Sequence, residues 1–282
     1  MLEQRDIQRE RLFYIDFLAF FTGRVSRKDL VTRFGISEPA ATKDLSLYTE
    51  LAPNALVYDL KQKCYVFGGG EILFPHEVDQ ALYSLAGDRA IAINTEHAKR
   101  LPSWVNVSIK RRLPVGLVAQ ITRAMYQHRK IVAGYVSLSS GIKNRVLSPL
   151  ALVHDGLRWH IRAFDHEKEG FRDYNLARFM EATDMGDSDV DSSTDDEWNN
   201  HVALRLVAHP RAEHPETIHF DYEMANGTKE VTMPACLVGY FVRHWHIDCS
   251  DDAIGNPRAQ QLFLANKAEL LERGVSAWAF DP

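Results

Sequence analysis

The chain has 282 residues, 45% hydrophobic and 25% charged, with 33 Lys and Arg against 38 Asp and Glu. That leaves room for two or three domains with cores of their own and excludes a disordered, collagenous or disulfide-stapled chain. No run of about 18 or more apolar residues offers a membrane span. The opening "MLEQRDIQRERLFYIDFLAFF" is broken by Asp16 and lacks a small-residue cleavage site, and three scattered cysteines (Cys64, Cys236, Cys249) form no CxxC pair, so cytoplasm is the expected compartment.

Residues 8–22, "QRERLFYIDFLAFFT", place Leu12, Ile15, Leu18 and Phe21 at helical spacing, and Gly23 can end that helix. Ser26 reads as the N-cap of a second short helix, "RKDLVTRFG", with Asp29 near its start and Gly35 at its end. After "FGI", Ser37 caps a third helix, "EPAATKDLSLYTEL", with Pro39 in the first turn. Beyond Pro53, "ALVYDL" and "CYVFG" flank "KQK" as a hairpin with a basic tip. Helix, tight turn, helix and hairpin make a winged helix-turn-helix, whose third helix enters the major groove. Ser37, Ala40, Ala41, Thr42 and Lys43 are then candidates for base edges and phosphates, Arg27 and Lys28 for the local basic face, and Lys61, Gln62 and Lys63 for the flanking backbone. Double-stranded operator DNA is the expected partner. A three-helix module without nucleic acid is the alternative, since residues 1–67 hold ten bases and nine acids. Against it, Arg24, Arg27, Lys28, Arg33 and Lys43 outnumber Asp29 and Glu38 between positions 24 and 43.

Residues 75–130 read as a helical connector. Val78, Ala81, Leu82 and Leu85 form one stripe and Leu117, Val118, Ile121, Ala124 and Met125 another, as core or dimer contacts. From His97 to His154 there is no acid, while Lys99, Arg100, Lys110, Arg111, Arg112, Arg123, Arg129, Lys130, Lys143 and Arg145 supply ten positive charges, which points to something anionic nearby. "IKRRLP" at 109–114 fits DNA phosphates and a solvated turn equally.

The next runs, "KIVAGYVSLSSG" (130–141), "RVLSPLALVHDG" (145–156), "LRWHIRAFD" (157–165) and "FRDYNLARF" (171–179), are short β-rich segments that suggest a small barrel or strongly bent sheet. In the third, Leu157, Trp159, Ile161 and Ala163 alternate with Arg158, His160 and Arg162. The succession Tyr135-x-Ser137, Ser148-Pro149-Leu150, Gly156-Leu157-Arg158-Trp159-His160-Ile161-Arg162-Ala163 and Leu176-Ala177-Arg178-Phe179 resembles the WYL domain, an Sm-like β-barrel fused to winged helices in bacterial transcription regulators. Over nearly the whole chain the sequence is similar to the WYL repressors encoded beside phage-defence systems such as BREX and CBASS, which join a winged helix-turn-helix, a WYL domain and a C-terminal extension as homodimers. The namesake Trp-Tyr-Leu stands here as Trp159-His160-Ile161, so a titratable ring replaces a phenol. The resemblance implies a regulatory pocket for an anionic effector, a nucleotide or nucleic acid, with Tyr135, Ser137, Ser139, His154, His160, Arg162, Arg172 and Arg178 as its candidates. Arginine suits this because its planar fork holds a phosphate by two charge-assisted bonds. Arg158 reads as solvated, and His154 alone could simply cap a turn.

Residues 183–197, "TDMGDSDVDSSTDDE", carry seven acids and no base and predict a solvated linker. Beyond it "HVALRLVAHP", "TIHFDYEM" and "KEVTMP" read as strands and "PACLVGYFVRHWHI" as a helix, a small α/β unit suited to dimerisation. Cys236, His244, His246 and Cys249 have the spacing of no common zinc site. No GxSxG, Walker loop or HExxH is present, and "FGGGE" lacks a dinucleotide-site context, so neither an enzyme nor a cofactor is expected. The expectation is a multidomain α+β chain: a winged helix-turn-helix at 1–70, a helical connector at 71–130, a WYL domain at 131–182, an acidic linker at 183–197 and a dimerisation domain at 198–282. Its function would be that of a homodimeric repressor on an inverted-repeat operator, controlling a phage-defence operon, with an RNA- or nucleotide-binding accessory factor or a transcriptional activator of a defence system as the competing class and a nuclease-type enzyme third.

Overall fold

A computed structural model describes residues 2–86 and 111–281, with side chains from Ile7 onward. Lys99, Arg100 and Lys110 of the acid-free run lie outside the described residues. Two compact units result: the chain up to Leu152 with Ile161–Asp189, and Val153–His160 with the chain from Val190.

The first unit opens with α1 (Leu2–Thr22), β1 (Arg24–Val25), α2 (Arg27–Phe34), α3 (Glu38–Leu51) and the hairpin β2 (Leu56–Asp59) and β3 (Cys64–Phe67). The expected caps hold these helices. Asp29 accepts from the Ser26 N–H and Oγ, both at 2.7 Å; Gly35 ends α2 at φ +64°; and Ser37 Oγ accepts from Ala40 N. The three strands pair in the order β1-β3-β2, and Leu12, Ile15, Val25, Leu30, Leu45 and Tyr48 close the core beneath them. Two buried carboxylates tie α1 into this core. Asp44 on α3 accepts from Arg11 Nε at 2.6 Å, and Asp16 on α1 accepts from Tyr48 Oη at 2.9 Å. Asp16 also takes the Leu73 N–H at 2.6 Å and faces His76 Nε2 at 2.7 Å.

The connector contains α4 (Val78–Leu85) and α5 (Val115–Tyr126). In α5 Leu117, Val118, Ile121 and Ala124 are buried as the stripe predicts. A five-stranded sheet follows, β4 (Arg129–Ser137), β5 (Gly141–His154), β6 (Trp159–Asp165), β7 (Gly170–Asn175) and β8 (Phe179–Asp187), in the order β7-β6-β5-β4-β8. Two register shifts, at Lys130/Ile131 and Gly134/Tyr135, interrupt the β4–β8 ladder. No ladder joins β7 to β8 among the described residues, so the sheet is not a closed barrel by its hydrogen bonds.

The acidic run is structured where a solvated linker was expected. Thr183–Asp187 complete β8, and Arg129 opposite them holds Asp184 at 3.0 Å and Asp187 at 2.6 Å. In the second unit Asp191 and Asp195 accept from the N–H groups of Ser193 and Trp198, capping a short 3-10 turn and α6 (Asp196–Asn199). The aspartates are ordered by backbone and cross-strand partners that composition alone does not reveal.

The remainder of the second unit is β9 (His201–Ala208), α7 (Pro215–Asp221), β10 (Thr228–Pro234), α8 (Val238–His244), β11 (Leu262–Leu264) and α9 (Lys267–Glu272), with strand order β10-β9-β11. Val202, Leu204 and Leu206 alternate into its core against Val238, Val242 and Leu270. "TIHFDYEM" is helical over α7, not a strand: Pro215 starts the helix, and Phe220, which completes the apparent alternation, is 85% exposed.

Candidate nucleic-acid interface and sensing site

Arg24 begins β1, Arg27 and Lys28 open α2, and Gln62 and Lys63 close the wing tip. With Ser26, Asp29 and Glu38 they line one cleft of about 520 Å³. The four bases are all exposed, and their stems are fixed by elements that the Ser26–Asp29 cap and the β1–β3 ladder position. The wing tip is shaped by Asp59, which accepts from the N–H groups of Lys61 and Gln62 at 2.8 and 3.0 Å, and by Lys63, which adopts φ +54°. Beside the cleft the N-terminal half of α3 presents Ser37, Thr42 and Lys43 to solvent, with Ala40 half-buried. Ala41 is corrected: it is fully buried in the helix core and cannot approach a base. Two exposed residues beside the candidates were not among them: Arg24, counted only in the local charge balance, and Ser46, one turn beyond Thr42. The period of an amphipathic helix would have found both Ala41 and Ser46.

The eight residues expected around an effector are divided between the units. In the first, Tyr135 is a core residue: its ring meets Tyr174 and Phe179 edge-on, and its hydroxyl accepts from the Asn175 N–H at 3.1 Å. Ser137 and Ser139 shape the β4–β5 turn, with Ser137 Oγ accepting from the N–H groups of Ser139 and Ser140. Arg162, 3% exposed, is ion-paired with Asp173 at 3.4 Å. Next to this pair lies a network that sequence reasoning did not assemble. Asp165 accepts from Tyr174 Oη, from Arg145 Nη1 at 3.1 Å and from the N–H groups of Glu167 and Lys168. Burial, and then the Asp165 carboxylate, raise the Tyr174 phenol well above its ordinary value, so it stays a donor. Arg145 Nε is buried without a partner among the described residues. Arg172 is exposed and Arg178 half-buried, and among the described residues neither is within ion-pair distance of a carboxylate.

In the second unit His160 Nε2 lies 2.9 Å from Asp155 Oδ2, and its ring is 4.8 Å from that of Tyr240. Burial alone would raise the Asp155 carboxyl, but His160 and the N–H groups of Leu157 and Arg158 hold it well below the usual carboxylate range. Arg158 pairs with the same carboxylate at 3.1 Å, where the sequence suggested a solvated side chain. His154 packs on Trp159 and accepts the Gly156 N–H, a turn-capping role. Among the described residues no group of three or more His, Cys, Asp or Glu is placed to share a metal ion.

The model of the BrxR transcriptional regulator winged helix-turn-helix domain matches residues 7–70, that of the WYL domain residues 116–184, and that of the BrxR transcriptional regulator C-terminal dimerization domain residues 201–270. The chain is 32% identical over 274 residues to the DNA-binding transcriptional repressor CapW of Escherichia coli (strain KTE188), covering 93% of this chain and 90% of that one. Proteins of the same description from Stenotrophomonas maltophilia and Pseudomonas aeruginosa are 31% identical over 271 residues, with the same coverage. Domain by domain and along almost its entire length, the chain belongs to the family of winged-helix, WYL-domain transcriptional repressors that includes CapW.

Proposed function

We propose that the protein is a homodimeric, cytoplasmic repressor that occupies an inverted-repeat operator and controls a phage-defence operon. The observation that carries the reading is the cleft between α2 and the wing, where Arg24, Arg27, Lys28 and Lys63 converge beside the exposed start of α3. Such a basic groove neutralises backbone phosphates while Ser37, Thr42 and Lys43 reach base edges. The domains are assigned as 1–70 for DNA, 71–130 as connector, 131–187, to the end of β8, for sensing, 188–197 as the junction and 198–282 for dimerisation. The bulged five-stranded sheet supports a bent, Sm-like barrel as the sensing element. The effector is an anion, a nucleotide or nucleic acid, met by Arg172 and Arg178, the two candidate guanidiniums that carry no ion pair among the described residues.

A mobility-shift titration with the duplex upstream of the protein's own gene tests the first part. Tighter binding than to a scrambled duplex of equal length at moderate salt is expected; equal binding refutes the operator reading, because phosphate contacts carry no sequence information. For the sensor, Arg172→Ala with Arg178→Ala leaves operator affinity in place and removes its response to added oligonucleotide. Binding to RNA in preference to the operator duplex would favour the accessory-factor reading instead.

A further inference from the structure

A helix leaves its last carbonyls without intrahelical partners, and α1 carries no basic residue in its last turn to meet them. Gly23 N–H takes the carbonyl of Ala19 at 3.0 Å. The next two are taken by a different helix: Arg123 Nη1 donates to the carbonyl of Phe20 at 2.6 Å, and Thr122 Oγ1 to that of Phe21 at 2.8 Å. The Arg123 guanidinium also lies 5.7 Å from the Phe20 ring and 5.0 Å from that of Phe67, so it touches both α1 and β3 of the winged helix. Gly23 turns the chain at φ +83°, a conformation that side chains rarely adopt, and the Gln127 amide of the turn after α5 lies within 2.1 Å of where a Cβ would stand. A cation placed on a helix C-terminus in a charge-assisted bond is a strong and directional contact.

Both ends of this contact lead somewhere. α5 runs almost directly into β4, which lies between β5 and β8 in the sensing sheet, and packs against β8. At the other end, α1 is fastened to α3 by Arg11 with Asp44 and by Asp16 with Tyr48. At 1.5 Å per residue α1 is about 30 Å long, so a tilt of about 10° at its C-terminus moves the far end by about 5 Å, more than one base-pair step.

We propose that Arg123 and Thr122 are positioning residues that fix the angle of the winged helix on the sensing sheet and thereby set the half-site spacing that the dimer accepts. The inference rests on the inverted-repeat reading above. The test steps the spacer of the inverted repeat in the upstream duplex one base pair at a time. Affinity is measured by fluorescence anisotropy for the full-length wild type, Arg123→Ala, Arg123→Lys and Thr122→Val, with a single half-site duplex and thermal melting as controls. The wild-type profile peaks at one spacer length and falls by about tenfold one base pair away, as half-site spacing is a geometric property of a symmetric dimer. Arg123→Ala flattens that profile while leaving single half-site affinity near wild type and a cooperative melt lowered by only several degrees; Arg123→Lys, which keeps the cation but not the stacked plane, recovers part of the peak. Thr122→Val, close to isosteric, flattens it less and serves if Arg123→Ala does not fold. A peaked wild-type profile reproduced by the folded variants overturns the inference alone. A flat wild-type profile overturns the inverted-repeat reading and the inference with it.

Discussion

Replacing Lys28 and Lys63 together by Gln tests the basic cleft where its geometry is most explicit. Both side chains are exposed and line the same cleft of about 520 Å³, so their loss removes charge without opening the core. A dimer on two half-sites presents the cleft twice, and four phosphate contacts disappear. Counterion release assigns each contact about 0.9 to the slope of log affinity against log salt, so the slope becomes shallower by about 3.6. Between about 50 and 200 mM salt the wild-type affinity therefore drops about 150-fold more than that of the variant. Anisotropy titrations of a labelled operator duplex over that range measure it, with Arg258→Gln, an exposed base of the second unit, as a control that keeps the wild-type slope. A double variant whose slope stays within about one unit of wild type would place the phosphates elsewhere and refute the cleft as the backbone contact.

Two further outcomes concern the second unit. Burial alone would raise the Asp248 carboxyl, but hydrogen bonds from Ser250, from the Gly255 N–H and from His209 bring it from 3.8 to about 2. The unfolded chain then binds the extra proton between those values, so this stabilisation is complete above about pH 4 and is lost as pH falls through about 2, and it amounts to about 2 kcal/mol. Asp248→Asn should flatten the rise of urea stability with pH in that window, and an unchanged rise would assign it to other acids. Gly156 sits at φ +91°, and a Cβ there would lie 2.3 to 2.4 Å from the His244 ring. Gly156→Ala should cost about 1–3 kcal/mol by overpacking in addition to backbone strain, with partial recovery on adding His244→Ala; wild-type melting of the single variant would contradict the packing.

The winged helix was legible because its signals are local. Ser26, Gly35, Ser37 and Pro39 punctuate α2 and α3, and "KQK" between two β-rich runs marks the wing. The strand containing Trp159, Ile161 and Ala163 was legible for the same reason, and these three are buried. Its second face was not, because His160 and Arg162 are buried too, and what makes that tolerable is supplied by Asp155 in the preceding turn and Asp173 on the neighbouring strand. A period-two pattern assigns residues to faces and says nothing of which carboxylate neutralises them. The acidic run misled in the opposite direction: its composition favours solvation, whereas Arg129, fifty-five residues before Asp184, draws its first part into a ladder. Asp165 with Arg145 and Tyr174 likewise forms only once three strands are in register.

Strand β6 has its first two residues, Trp159 and His160, in one compact unit and Ile161–Asp165 in the other. Two of the three crossings between the units, after Leu152 in β5 and after His160 in β6, therefore fall inside continuous strands and not in loops. For anyone building chimaeras from relatives, residues 153–160 must be inherited from the donor of the C-terminal half, although they are numbered in the middle of the sensor. A hybrid joined at the acidic run alone would carry the tip of one parent against the core of another.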